Sequence, residues 1–389
     1  MTEIFLLEPE LSPAWFPFAD CRPICELRAG AWLIRERWEA AADGETRAIF
    51  GPPHLSSFTE DGVPQVAPRQ PVAGPAIVGR SDFAPAGVKL DLPEHPARLV
   101  NDDVAVGWWV PPGTTWQDEQ ADWDQIACDG ILLHGCYDVV TALEHLLAPD
   151  TLDFTNETSD PLPQGSVVIG DPADVVVLGA AVEPGTVFDV RGGVVVLEQH
   201  SYVKSGTRLE GPLYVGPGSE ILGGMVRECS IGPRCRVRGE IVSSALLGYS
   251  NKSHDGFVGH SVVGRWVNLG AGTTTSNLKN TYGPIRLDVA GTTIDTGRQF
   301  LGTLFGDHCK TAIGSMLSTG AAVGVGANVF DYSSAPKYVP PFAWGAGGGL
   351  MDRAGFLKTV ARVMPRRQVE FTDSVRHLLE TIYDHSVNT

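Results

Sequence analysis

The sequence predicts a mixed α/β domain, then a parallel solenoid of short strands, then short helices. Three observations predict it. Aliphatic residues recur every six positions through the second half. The first 160 residues carry no such period and mix helix-like with strand-like segments. The last 45 residues return to helical spacing. The step of six is the most decisive. Leu197, Val203, Leu209, Val215 and Ile221 stand six apart without a break. Ile231 and Val237 resume the spacing, Phe257, Val263 and Leu269 continue it, and Phe305, Thr311, Leu317, Val323 and Val329 finish it. Amphipathic helices repeat at 3.6 and strands at 2. A step of six fits short strands joined by tight turns and stacked coil on coil.

Taken in order, Ile4–Leu7 reads as a strand, Leu33–Ala42 as a helix and Tyr137–Leu147 as a second helix. Strands are expected at Ala76–Val78 and near Leu99–Val106, with proline-rich loops between them. This is an α/β pattern, and its domain is expected to span residues 1–160. A polar, proline-rich junction, Thr155 to Pro163, follows. Ile169, Val175 and Val187 suggest irregular first coils of a solenoid spanning 165–344. Thr281–Phe300 interrupts the repeat as a projecting loop would. Pro336–Trp344 is expected to leave the solenoid, and Gly345–Gly349 to be a flexible linker. Asp352–Val363 and Asp373–His385 read as helices of a terminal segment, 345–389. Thr372 is a plausible N-cap for the second of these.

Composition narrows the function. The chain has 389 residues, 43% of them hydrophobic, enough for two domains with a large core. Its formal charge of −17 argues against nucleic acid as a partner. Nothing reads as a basic-then-apolar leader or as a bilayer-spanning run, so a cytoplasmic protein with no membrane partner is expected. The seven cysteines form no CxxC pair and read as reduced, mostly buried thiols rather than a zinc site.

The chemistry concentrates in Gly248–Asn280, GYSNKSHDGFVGHSVVGRWVNLGAGTTTSNLKN. Just before it, Arg234, Arg236 and Arg238 alternate around Val237, so in a strand they share the face opposite Val237. That face is an anion site or simply solvated. His254 can act as a base near neutral pH, as acyl transfer to an amine requires. Gly270-Ala271-Gly272 allows close approach of a ligand to backbone. His260 falls between two strands and reads as structural; His308 is a weaker candidate base.

These residues resemble the left-handed β-helix, or hexapeptide-repeat, acyltransferases. The central window resembles the acetyltransferase half of the bifunctional glucosamine-1-phosphate acetyltransferase/N-acetylglucosamine-1-phosphate uridyltransferase. The run GYSNK-x-HDGF-x-GH followed by WVNLGAGT and SNLKN resembles a variant group labelled putative sugar nucleotidyltransferases. The resemblance implies a left-handed helix, a homotrimer, and acetyl-CoA with a sugar phosphate as substrates. It implies His254 as catalytic base, Arg238 and Lys252 on the sugar phosphate, and Asn277 on the substrate's amino or acetyl group. It also implies the Ala271 N–H, between Gly270 and Gly272, on the thioester oxygen. The family often has tyrosine at the position of Phe257. The Phe305–Val329 coils would hold the pantetheine arm.

The first domain resembles sugar nucleotidyltransferases through Arg22-Pro23, Leu27, Gly30 and the helix that follows. Their glycine-rich basic loop is replaced by Glu8-Pro9-Glu10-Leu11-Ser12-Pro13, and their lysine by Ile24. The domain therefore reads as degenerate. Arg22 would meet a nucleotide, and Asp102 or Asp103 would bind Mg²⁺ only if the domain is active. The reading is acetyl transfer to an amino-sugar 1-phosphate, most simply glucosamine 1-phosphate. Two alternatives stand beside it: a sugar-1-phosphate nucleotidyltransferase that uses the solenoid to trimerise, and a non-catalytic nucleotide-sugar binding or scaffold protein.

Overall fold

The computed structural model describes residues 2–117, 123–331 and 334–388. Its first part is a seven-stranded sheet in the order 124–127, 97–101, 104–110, 76–80, 2–7, 44–50 and 65–67. Thr2–Leu7 lies parallel to both Gly44–Phe50 and Ala76–Arg80, while Val104–Val110 runs antiparallel to its neighbours. The segment expected as one strand near Leu99–Val106 is a hairpin, because Asp102 and Asp103 both take left-handed φ, 45° and 65°. Helix α1 (Ile34–Ala42) buries Trp38 against the sheet. A Cβ at Gly79 would stand 2.7 Å from the Trp38 ring, so the strand needs glycine there. Helix α2 (Asp138–Asp153) continues past the expected end. Its Asp150 accepts the Ala31 N–H at 2.7 Å and pairs with buried Arg37, tying α2 to α1. This part is nucleotidyltransferase-like α/β architecture.

The second part is a parallel β-solenoid with three walls. One turn takes three six-residue steps: Val195 pairs with Leu213, and Thr303 with Ala321, each eighteen residues on. The first wall stacks nine strands, from Val175–Val177 to Tyr338–Val339, all parallel. Leu197, Val203, Leu209, Val215 and Ile221 are all fully buried in the inner column.

The expected column fails at one place. Val258, 1% exposed, points inward, while Phe257 is half-buried on the outside. The cause is Lys252, which pairs in register with Val237 and occupies an aliphatic position of the inner column. Counted from Lys252, the next inward residue six on is Val258.

The insertion expected at Thr281–Phe300 forms a hairpin, Arg286–Val289 with Thr292–Asp295. It leaves the ladder intact, since Val262 pairs directly with Leu304. Pro336–Trp344 does not leave the solenoid. Tyr338–Val339 pairs with Ala322–Val323, and Trp344 with Asn328. Gly345–Gly349 is no linker, because the chain folds back so that Gly349–Leu350 pairs antiparallel with Ala343–Trp344.

Helices α3 (Arg353–Val363) and α4 (Asp373–Asn388) then pack back onto the other two parts. Asp352 caps α3, accepting Gly355 N–H at 2.8 Å, and Thr372 Oγ1 accepts Val375 N–H at 3.3 Å. Buried residues of the α/β part, the solenoid and both helices form one continuous hydrophobic core. Among the described residues, no helix is long and apolar enough to cross a membrane. All seven cysteines are free and buried.

Candidate active site

Each coil turns two corners around its second wall, and the corners differ. At the first-to-second corner, successive coils place Arg234, Tyr249, Trp266 and His308 in left-handed backbone, φ 54–63°. At the second-to-third corner, glycines take that role. Gly239, Gly256, Gly272 and Gly314 have φ of 101°, 132°, 73° and 73°. A Cβ at Gly256 would lie 2.3 Å from the Thr273 carbonyl, so that corner packs backbone on backbone.

His254 sits on the glycine corner. Its side chain is exposed and has no hydrogen-bond partner among the described residues. The next coil stacks Ala271 and Gly272 beside it, with Gly272 N–H donating to the Asp255 carbonyl at 2.9 Å. Gly270 N–H is also occupied, by the Thr311 carbonyl and hydroxyl at 3.2 and 3.0 Å. The Ala271 N–H between them has no acceptor among the described residues. Coil stacking thus leaves one backbone donor of the GAG run free. On the preceding coil, Arg238 is half-exposed, and its Nε donates to Asp255 Oδ1 at 3.0 Å. An incoming anion would compete there with one carboxylate that is itself 78% exposed.

Lys252 is a correction. It does not face the site. Its side chain runs inside the solenoid, 2% exposed, and its ammonium donates to the Arg238 carbonyl at 3.0 Å and to the His254 carbonyl. Burial pushes its pKa down to about 8. A lysine consumed by two carbonyls under the corner cannot reach a phosphate outside it. It anchors the His254 turn from within.

Asn277 lies one three-residue strand away from His254, at the next corner. Its Nδ2 is 2.9 Å from Nδ1 of His260. A Cβ at Gly259 would come within 2.9 Å of the Asn277 amide and 2.4 Å of the Phe257 ring, so both groups lie over that glycine. The His260 ring stacks on Phe300 of the inserted loop, with centroids 5.1 Å apart. Burial pushes the His260 imidazole below its ordinary range. His260 therefore belongs to the outer face and is no core residue. Its left-handed turn, φ 47°, carries no sequence signal in a residue other than glycine.

The expected nucleotide residues are not assembled. Arg22 is fully buried and bonds Asp307 Oδ2 at 3.1 and 2.6 Å and Glu60 Oε1 at 2.9 Å. Glu60 in turn pairs with Arg265 at 2.8 Å. This network bolts the first part to the solenoid and holds Arg22 fully buried, with its Nη1 left without a hydrogen-bond partner. The Ile24 N–H is taken by Glu8 Oε2 at 2.9 Å, and burial raises that carboxyl to about 7. Asp102 and Asp103 stand exposed at a hairpin tip. No group of three or more His, Cys, Asp or Glu residues suited to a metal exists among the described residues. His308 is 6% exposed and enclosed by Trp266 and Phe356, and burial pushes it down to about 3. It is not an accessible base. It does line a cavity of about 480 Å³ between Phe58–Asp61, the aromatic corner and α4, away from His254.

The comparisons with known proteins agree with this architecture. Residues 4–151 match the sugar nucleotidyl transferase family. The chain is 33% identical over 146 residues to the bifunctional sugar-1-phosphate nucleotidylyltransferase/acetyltransferase of Sulfurisphaera tokodaii, covering 36% of this chain and 35% of that protein. It is 36% identical over 93 residues to the bifunctional protein GlmU of Methanococcus vannielii, covering 23% of this chain and 22% of that protein. A second GlmU, from Methanococcus maripaludis, is 32% identical over 93 residues, 23% of this chain and 22% of that one. The chain thus spans about a third or less of the length of these curated relatives.

Proposed function

We propose that the chain transfers an acetyl group from acetyl-CoA to the amine of an amino-sugar 1-phosphate, with glucosamine 1-phosphate as the simplest substrate. The observation that carries this reading is the glycine corner, where an exposed imidazole stands beside one unused backbone N–H. The attacking amine must lose a proton as the C–N bond forms, and His254 takes it. Negative charge gathers on the thioester oxygen, and the Ala271 N–H stabilises it. The C–S bond then breaks and the CoA thiolate leaves. Arg238 exchanges Asp255 for the sugar phosphate, and Asn277, held by His260, contacts the amino or acetyl group. A wall this open does not desolvate a thioester alone. Ile313 and Met316, 83% and 57% exposed on the same side, supply an apolar face for a second copy. A cyclic homotrimer would then place the site between neighbours.

The second reading is sugar-1-phosphate nucleotidyl transfer, favoured by the family match over residues 4–151. Against it stand the occupied Ile24 N–H and the enclosed Arg22. One assay separates the two. Purified protein is offered acetyl-CoA with a panel of amino-sugar phosphates, then UTP, dTTP and CTP with the products, while free CoA and pyrophosphate are followed. CoA release that depends on both the amine and the phosphate is expected. Pyrophosphate release without CoA release would replace the first reading with the second.

A further inference from the structure

We infer a second anion site, separate from the glycine corner, for a small molecule carrying a diphosphate. It is a cleft of about 390 Å³ between the solenoid and the turn after α3. Arg234 and Arg236 line it from the solenoid, and Arg366 and Arg367 from the turn, with Glu220 as the only carboxylate among the described residues of its lining. An adjoining hollow of about 260 Å³ shares Arg236, Arg366 and Arg367 and adds Lys310 with two amides, Asn251 and Asn268. Both volumes are in or near the size range of small-ligand pockets.

The charge balance is what points to a ligand. Arg236 pairs with Glu220 at 2.9 Å, which satisfies one cation with the one carboxylate. Arg234 donates to the Arg367 carbonyl at 2.5 Å, a bond that tethers the turn without neutralising any charge. Arg366 and Arg367 form no ion pair among the described residues. The Arg367 Nε is buried with no hydrogen-bond partner. Burial, and then the charge of Arg236, push the Arg367 guanidinium below its ordinary range. Three guanidiniums that form no ion pair among the described residues are thus held together on a chain of net charge −17. Like charges so gathered are destabilising unless an anion joins them. Guanidinium forks match phosphate oxygens two at a time, so the set suits two linked phosphates better than one. The floor is the Pro217–Gly218 and Pro233 turns, whose rigidity keeps the solenoid arginines in place.

Diphosphate chemistry has three free sources: inorganic pyrophosphate, a nucleoside diphosphate, and the nucleotide end of a CoA-type molecule. Calorimetry on the full chain distinguishes them, with pyrophosphate, UDP and CoA as titrants and inorganic phosphate as control. Pyrophosphate is expected to bind once per chain, with phosphate about ten-fold or more weaker. The titrant whose affinity falls most when Arg366→Gln and Arg367→Gln are combined names the source. Arg366→Gln should weaken pyrophosphate several-fold, and Arg366→Gln with Arg367→Gln by about ten-fold or more, consistent with lost charge-assisted bonds. Arg366 is exposed, so its single variant guards against a folding artefact. Arg238→Ala should leave this binding unchanged. No heat with millimolar pyrophosphate, or equal binding by the double variant, overturns the site. Loss of binding in Arg238→Ala instead moves the anion to the glycine corner and also overturns it. Neither result bears on acetyl transfer, which the CoA-release assay reads separately.

Discussion

The two corners of the solenoid's second wall use the same coils and opposite chemistry. The aromatic corner stacks Tyr249 on Trp266 at 4.5 Å, sets His308 beyond it, and closes against Phe356 of α3. Around it the ion pairs of Arg22, Asp307, Glu60 and Arg265 join parts of the chain and are largely buried beside the cavity. The glycine corner turns on glycines, leaves His254 exposed and Arg238 half-exposed, and carries no aromatic ring in its turns among the described residues. Histidine, arginine and aspartate occur at both. What separates structure from candidate chemistry is access. A buried charge is satisfied by fixed partners, whereas an exposed one can exchange its partner for a substrate.

The largest effect that tests this contrast is at the covered corner. Arg22→Ala should cost about 3–5 kcal/mol of stability, because it strands Asp307 without its cation. The unfolding midpoint in urea measures it. Arg22→Met with Asp307→Leu should recover much of the loss, since an apolar pair removes both buried charges. If Arg22→Ala kept full stability, the residue would be free for a ligand and the contrast would fail.

At the open corner the expected effect is on rate and not on stability. His254→Ala should slow acetyl transfer by about 10²-fold or more, the scale of lost general-base catalysis, with an unchanged melting curve. His260→Ala should reduce it by less, through a loosened Asn277. A reversal of the two would move the base to the next corner.

The third effect is a pH dependence, small over any one pH unit. Burial holds His308 at about 3, against an ordinary value near 6.5. Above pH 6.5 both folded and unfolded forms are neutral there, so the residue adds no pH dependence. Below it the unfolded chain takes up a proton that the folded one refuses. Stability should therefore fall by about 1.4 kcal/mol per pH unit from this group between roughly pH 6 and 4. Denaturant unfolding of wild type against His308→Gln checks it. Parallel stability curves for the two proteins would mean that His308 reaches water.

Most of the solenoid is legible in the sequence because its inner column is aliphatic and evenly spaced. Lys252 hides one position. A lysine in a buried column looks like a surface residue until the carbonyls of Arg238 and His254 are seen to hold its ammonium. That single misreading shifts Phe257 inward and puts a phosphate ligand where none can reach. His254 and Arg238 remain legible, because the turn and the alternation around Val237 place both outside. The fate of Arg22 was not legible, since its partners lie 38 and 285 residues away. Nor was the role of His260, which depends on Asn277 one coil on and on Phe300 from the inserted loop.

The hairpin that closes the last coil has a consequence beyond the fold. A stack of parallel strands ends in unpaired N–H and C=O groups, which invite another stack to add on. Here Gly349–Leu350 returns antiparallel along Ala343–Trp344, and α3 and α4 follow directly from it. The parallel ladder of that wall therefore ends on a two-residue antiparallel strand of the same chain. A coil from another molecule meets no parallel coil to continue there, which favours the flanks of the solenoid as the surfaces through which copies meet.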